Sequence, residues 1–141
     1  MKSRRKGREQ ALQILFQLEL NEELTSIQGL EAFETNFSQD HEAGEFTRRL
    51  VLGVVNNKAV IDEKLKGSSE HWKLGRMPTV DRNLLRLGVF ELEFCDDIPA
   101  TVTINEMVEL AKQFGAENSA GFINGVLDKI AGQLDRPTKT D

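Results

Sequence analysis

The stretch "FINGVL" (Phe122–Leu127) decides how this chain folds. Asn124-Gly125 stands between two apolar pairs, and Asn-Gly flanked by apolar residues is the strongest short-range signal for a two-residue β-hairpin. The residues around it disagree. Phe122, Ile123, Val126, Leu127, Ile130 and Leu134 recur at helical spacing on both sides of the pair. No alternating apolar/polar strand flanks it. The segment is therefore read as the last helix, starting at Asn118 or Ser119. A glycine inside a helix costs roughly 1 kcal/mol relative to alanine, so Gly125 is expected to permit the close approach of another helix.

Working back from there, the period stays helical. "TINE" (Thr103–Glu106) has the form of a capping box, followed by Val108, Ala111 and Phe114 and a stop at Gly115. Pro99 closes the connection before it. The segment Val80, Leu84, Leu85, Leu87, Val89, Phe90, Leu92 is apolar around so much of its circumference that it belongs at the centre of a bundle. Pro78-Thr79 precedes it, with Thr79 as the expected cap. Phe46, Leu50, Val54, Ile61 and Leu65 carry a stretch with a break expected at Asn56-Asn57, and Ile27, Leu30, Phe33 and Phe37 another. A first helix, with Ser3 as candidate cap, places Ala11, Leu12, Leu15, Phe16 and Leu18 on one face. The fold class is all-α, one helical domain over residues 1–135 with a polar, frayed tail at 136–141. No internal repeat is present.

Charge is distributed unevenly. Five of the first eight residues are basic (Lys2, Arg4, Arg5, Lys6, Arg8), yet the whole chain has 18 Lys+Arg against 23 Asp+Glu, leaving 13 basic and 23 acidic residues after position 8. At 141 residues, 39% apolar and 29% charged, the chain has the composition of one soluble globular domain. The amphipathic start, with Glu9, Gln10, Gln13 and Gln17, is unlike a signal peptide, and no apolar run is long enough to span a bilayer. One cysteine, Cys95, excludes an internal disulfide. A cytoplasmic protein without membrane association is expected.

Catalytic constellations are thin. His41 and His71 stand far apart with no Cys or His at ligand spacing, so neither a metal site nor another cofactor is expected. Cys95 beside Phe94 reads as a buried structural thiol. No phosphate-cradling glycine loop occurs, and the carboxylate pairs Asp96-Asp97 and Glu91/Glu93 read as solvated faces. An enzyme is not expected. The basic opening leaves two readings: a solvated arm, or a contact to RNA phosphates continuing into a helix that would hold Arg5 and Arg8 on one face, with Phe16 two turns on as a stacking surface.

Two further stretches carry a resemblance. "RMPTVDRNLLRLGVFEL" (Arg76–Leu92) and "IPATVTINEMVELAKQFGAENSAGFINGVLDKI" (Ile98–Ile130) look like the NusB family of bacterial transcription antitermination factors. "RRKGREQALQILFQLEL" (Arg4–Leu20) is similar to that family's Arg-rich opening. The likeness covers nearly the whole chain, with residues 21–60 and the tail nondescript. It implies an all-helical bundle of about seven helices in two packed subdomains, without enzymatic activity. It further implies binding of single-stranded boxA RNA together with ribosomal protein NusE. The assembly joins RNA polymerase and other Nus factors and sustains transcription of ribosomal RNA operons.

Carried over by position, the resemblance assigns RNA contact to Lys2, Arg4, Arg5, Lys6, Arg8, Phe16 and Phe122. It assigns the NusE side to Arg76, Asp81 and Asn118. Phe16 stands where relatives often have Tyr. For Phe122 the alternative is core packing, and for Asp81 a helix-dipole role; Trp72 reads as a packing residue. Gly121 replaces a frequently basic position and Asn118 a frequently acidic one. A rival reading is a structural adaptor for a basic protein that never touches RNA.

Overall fold

The computed structural model describes residues 2–36, 41–68 and 77–134, with side chains for 3–32, 41–68 and 77–134. Among these residues there are seven helices and no strand. They fall into two compact units, Met1–Asn56 and Asn57–Asp141. The boundary lies at the Asn56-Asn57 pair, where the apolar spacing predicts a break.

The first unit holds α1 (Lys2–Leu20), α2 (Ser26–Asn36) and α3 (His41–Asn56), each packed on the other two. Ala11, Ile14, Leu50 and Val51 are fully buried among them. Ile14 was absent from the apolar face predicted for α1, whereas Phe16 and Leu18 are only half-buried. Leu30 is buried as predicted, but Ile27 is 54% exposed; Phe37 and the Phe33 side chain lie outside the described residues. Ser3 sits inside α1, which begins at Lys2, rather than capping it.

A capping box does form, though not at "TINE". Before α2 the Gln28 amide donates to Thr25 Oγ1 at 3.1 Å, and the Thr25 amide donates to Gln28 Oε1 at 3.0 Å. Helix α6 (Ala100–Phe114) starts directly after an extended Pro99. Thr103 is thereby carried inside the helix, where its buried hydroxyl donates to Glu91 Oε1 at 2.8 Å. Proline lacks the amide hydrogen that a first turn leaves unpaired, so it starts a helix at little cost. Likewise Pro78, not Thr79, occupies the cap position of α5 (Thr79–Phe94), without a side-chain cap.

The second unit contains α4 (Lys58–Ser68), α5, α6 and α7 (Ser119–Gln133). Helix α5 packs against all three others. Leu84, Leu85, Leu87, Val89 and Leu92 are fully buried, as is Cys95 just beyond the helix. One charge inside is matched across two helices. Arg86 forks onto Asp62 of α4, with Nε–Oδ1 at 2.9 Å and Nη2–Oδ2 at 3.2 Å. Removing either partner would strand a largely buried charge, the costly way to break such a pair.

Helix α7 resolves the reading of "FINGVL". Ile123, Val126, Leu127 and Ile130 are buried, while Asn124 and Gly125 both lie on the exposed face. Neither needs the positive φ that a tight hairpin turn requires, and no described residue adopts one. The expected close approach at Gly125 is absent, since a Cβ there would meet nothing within 4 Å. The tight contact belongs to Gly88 instead. A Cβ on Gly88 would stand 2.6 and 2.7 Å from the two methyls of Leu127. Leu127 is itself fully buried and cannot swing away cheaply.

Two opposite outcomes are expected in thermal or urea melts. Gly88→Ala should destabilise by about 1–3 kcal/mol through overpacking, although alanine is the better helix former. Gly125→Ala should be neutral or stabilise by roughly 1 kcal/mol. Equal effects at the two positions would contradict this packing.

Candidate nucleic-acid interface

The basic opening is not a loose arm. Arg4, Arg5, Lys6 and Arg8 all lie on α1, whose first turn holds no acidic residue. Positive side chains at a helix N-terminus oppose the macrodipole, typically by 0.3–1 kcal/mol each. The chain therefore holds positive charge where an isolated helix would disfavour it.

Helical geometry then sorts these residues. Arg5 and Lys6 are exposed, Arg4 is half-buried, and Arg8 is only 2% exposed. Arg5 and Arg8, expected on one face of the helix, thus differ in exposure, Arg5 open to solvent and Arg8 buried. Arg8 pairs with Arg4, one turn away, on the seam with α3. There the Arg4 and Arg8 guanidinium carbons lie 5.0 and 5.1 Å from the centroid of the Phe46 ring, and that of Arg49 lies 6.0 Å away. Such cation–π contacts contribute about 0.5–1 kcal/mol when exposed and about 2 kcal/mol when desolvated.

Gly7 makes the seam possible. A Cβ at that position would lie 3.0 Å from Phe46 Cδ2 and 3.1 Å from the Ala43 carbonyl oxygen. Its absence lets α1 settle onto the ring. Beside it, Thr47 Oγ1 stands 2.8 Å from the Ala43 carbonyl, 2.9 Å from Gln10 Oε1 and 3.2 Å from the Gly7 carbonyl. One hydroxyl proton serves a single acceptor well, and Gln10 Nε2 is buried without a partner among the described residues. Turning the Gln10 amide over would let Nε2 donate to Thr47 Oγ1 and leave the hydroxyl proton for Ala43.

The other assigned residues lie apart from this cluster along the chain. Phe16, half-buried, is two turns further along α1. Phe122, also half-buried, is in the first turn of α7, and the exposed Asn118 occupies that helix's cap position without a side-chain cap bond. Asp81 lies in the first turn of α5, where its charge suits the helix dipole. It is 7% exposed, and its Oδ1 has no hydrogen-bond partner among the described residues. Arg76, Trp72, His71, the Lys2 side chain and the 136–141 tail lie outside the described residues. No three His, Cys, Asp or Glu side chains gather into a metal-binding group among the described residues. No described helix is long and apolar enough to cross a membrane.

Sequence reasoning listed Phe46 only as core and did not weigh Arg48 or Arg49, both of them exposed. The adjacent pair Arg48-Arg49 two residues after an aromatic was the available signal. Nothing local ties it to α1, which is 40 residues away at the Thr47–Gly7 contact.

Comparison with known proteins bears on all of this. Residues 5–132 match the NusB family. The chain is 47% identical over 141 residues to the transcription antitermination protein NusB of Myxococcus xanthus, covering 97% of this chain and 100% of that one. The namesake protein of Desulfitobacterium hafniense is 45% identical over 135 residues, covering 95% and 91%. Among solved structures, NusB of T. maritima superposes with a TM-score of 0.83 at 39% identity, covering 92% of this chain and 91% of that one. A chain from the crystal structure of antitermination factors NusB and NusE in complex with double-stranded RNA superposes with a TM-score of 0.84 at 29% identity, covering 95% and 99%.

Proposed function

The chain belongs to the NusB family, and on that premise we propose that it is a cytoplasmic, non-enzymatic transcription antitermination factor. It binds single-stranded boxA RNA together with ribosomal protein NusE. The pair then joins RNA polymerase and other Nus factors to keep transcription of ribosomal RNA operons processive. The observation that carries this reading is the basic run on α1, held against its own helix dipole with Arg5 and Lys6 exposed.

Each part of the chain has a chemical task in this reading. Arg4, Arg5 and Lys6, with Lys2 before them, neutralise phosphates and release counterions, a contribution that is strong but blind to sequence. Arg8, buried on Phe46, acts by anchoring the cluster rather than by reaching into solvent. The half-buried rings of Phe16 and Phe122 offer faces on which unstacked bases can lie. The acidic remainder suits a basic ribosomal partner. Asp81, an acidic residue in the first turn of α5, is assigned to that partner's side alongside Asn118 and Arg76.

The test is a titration of purified protein, with and without NusE, against boxA and scrambled RNA over a range of salt. Salt-dependent binding that prefers boxA and tightens with NusE is expected. An adaptor for a basic protein would bind NusE and show no salt-dependent RNA binding, and that result would replace the present reading.

The same titration separates stacking from charge. Phe122→Ala should weaken boxA binding by roughly 1–3 kcal/mol with little change in salt slope. Its preference over scrambled RNA should fall as well. Wild-type affinity in this variant would return Phe122 to a packing role.

A further inference from the structure

We propose that Phe46 is a positioning residue for RNA binding, gathering Arg4 and Arg8 of α1 and Arg49 of α3 into one cluster, so that the phosphate-binding surface extends from α1 onto α3 through Arg49. The proposal rests on the RNA-binding reading above.

Three observations converge on it. The guanidinium carbons of Arg4, Arg8 and Arg49 lie 5.0, 5.1 and 6.0 Å from one ring centroid. Phe46 is 6% exposed and fixed from below by the close approach of Gly7, so the ring is a rigid platform. Arg4 and Arg8 stand one turn apart on α1 and Arg49 reaches the same ring from α3, so guanidinium groups from two helices are gathered at one place on the seam.

Guanidinium chemistry makes the platform useful. Stacking on an aromatic occupies the flat face of the group, while its N–H donors lie in its plane, in the fork geometry that matches a phosphate. A stacked arginine is thus held still and can still donate. Lysine could not do both. Arg8, 2% exposed, serves as the inner member; Arg4, half-buried, and Arg49, exposed, are the members that reach solvent. Holding them in place beforehand lowers the ordering cost paid on binding.

The experiment uses the full chain, a labelled single-stranded boxA RNA and a salt series. Arg49→Gln, an exposed change that leaves the fold intact, should weaken binding roughly 4-fold at physiological salt and lower the slope of log K against log salt by about 0.7, the share of one phosphate. Phe46→Leu keeps every charge and should weaken binding roughly 5-fold, the scale of a lost cation–π contact. Phe46→Tyr should restore binding to within about 2-fold, because the π face returns.

A double-mutant cycle then separates positioning from mere support. Arg4→Gln should lose most of its effect in the Phe46→Leu background, whereas Lys6→Gln, at an exposed position of α1, should keep its effect in full. Wild-type affinity and slope in Arg49→Gln, or an additive Phe46–Arg4 cycle, overturns the proposal. Should Phe46→Leu fail to fold, Arg49→Gln alone decides. If the wild-type chain itself shows no salt-dependent RNA binding, the underlying RNA-binding reading fails instead, and that outcome is read from the unmutated protein.

Discussion

Replacing Leu85 with alanine should destabilise the protein by roughly 2–5 kcal/mol, the range for truncating a buried leucine to alanine. Leu85 is fully buried on α5, the helix that packs against α4, α6 and α7. With no exposed surface at Leu85, the space left by the lost methyls is walled by packed protein atoms rather than opened to solvent. Such a wall relaxes only partly, and the remaining cavity adds to the lost transfer energy. Native domains are stable by only about 5–15 kcal/mol, so the effect should be plain in urea or thermal unfolding. An unchanged midpoint would remove Leu85 from the core and with it the central place of α5.

Replacing Arg4, Arg5 and Lys6 together with alanine should nearly abolish the salt sensitivity of boxA binding that those residues supply. Each phosphate neutralised on a single strand contributes about 0.7 to the slope of log K against log salt, so three contribute about 2. Over a tenfold range of salt this difference amounts to roughly 100-fold in affinity. The fold should survive. Arg5 and Lys6 are exposed, and substitutions at such sites usually change stability by no more than about 0.5 kcal/mol; the half-buried Arg4 gives up its contact with Phe46, about 0.5–1 kcal/mol. Easing the clash with the α1 dipole offsets part of that loss. Arg8 is left in place because it is 2% exposed against Phe46 and its removal would disturb the α1–α3 seam. Wild-type affinity and slope in the triple variant, measured beside an unchanged melting curve, would leave the basic cluster a solvated feature without a role in RNA binding.

These two predictions draw on different levels of information. The burial of Leu85 was legible in the sequence, because a helix apolar on nearly every side has nowhere to sit but the centre. The sorting of the basic residues was not. The spacing placed Arg4, Arg5, Lys6 and Arg8 on one helix, but it cannot say which side of that helix meets another element. That depends on Gly7 opening a seam for Phe46, a contact between segments 40 residues apart at Thr47 and Gly7. The candidate site was therefore half visible. Its charges were evident and its aromatic platform was not.

The sequence by itself determined the helical class, the break at Asn56-Asn57, the buried face of α7 and the resemblance to NusB, because these follow from periodicity and short motifs that need no partner. Only the tertiary structure decided which local signals were used. "TINE" and "TSIQ" (Thr25–Gln28) both have capping-box form, yet Pro99 starts α6 early and turns Thr103 inward onto Glu91, while Thr25 is left at the mouth of α2 to cap it. Gly88 and Gly125 look alike as mid-helix glycines. Gly88 meets Leu127 of another helix and Gly125 meets solvent. In each case the deciding atom lies on a different helix, and helical spacing carries no information about what stands across the interface.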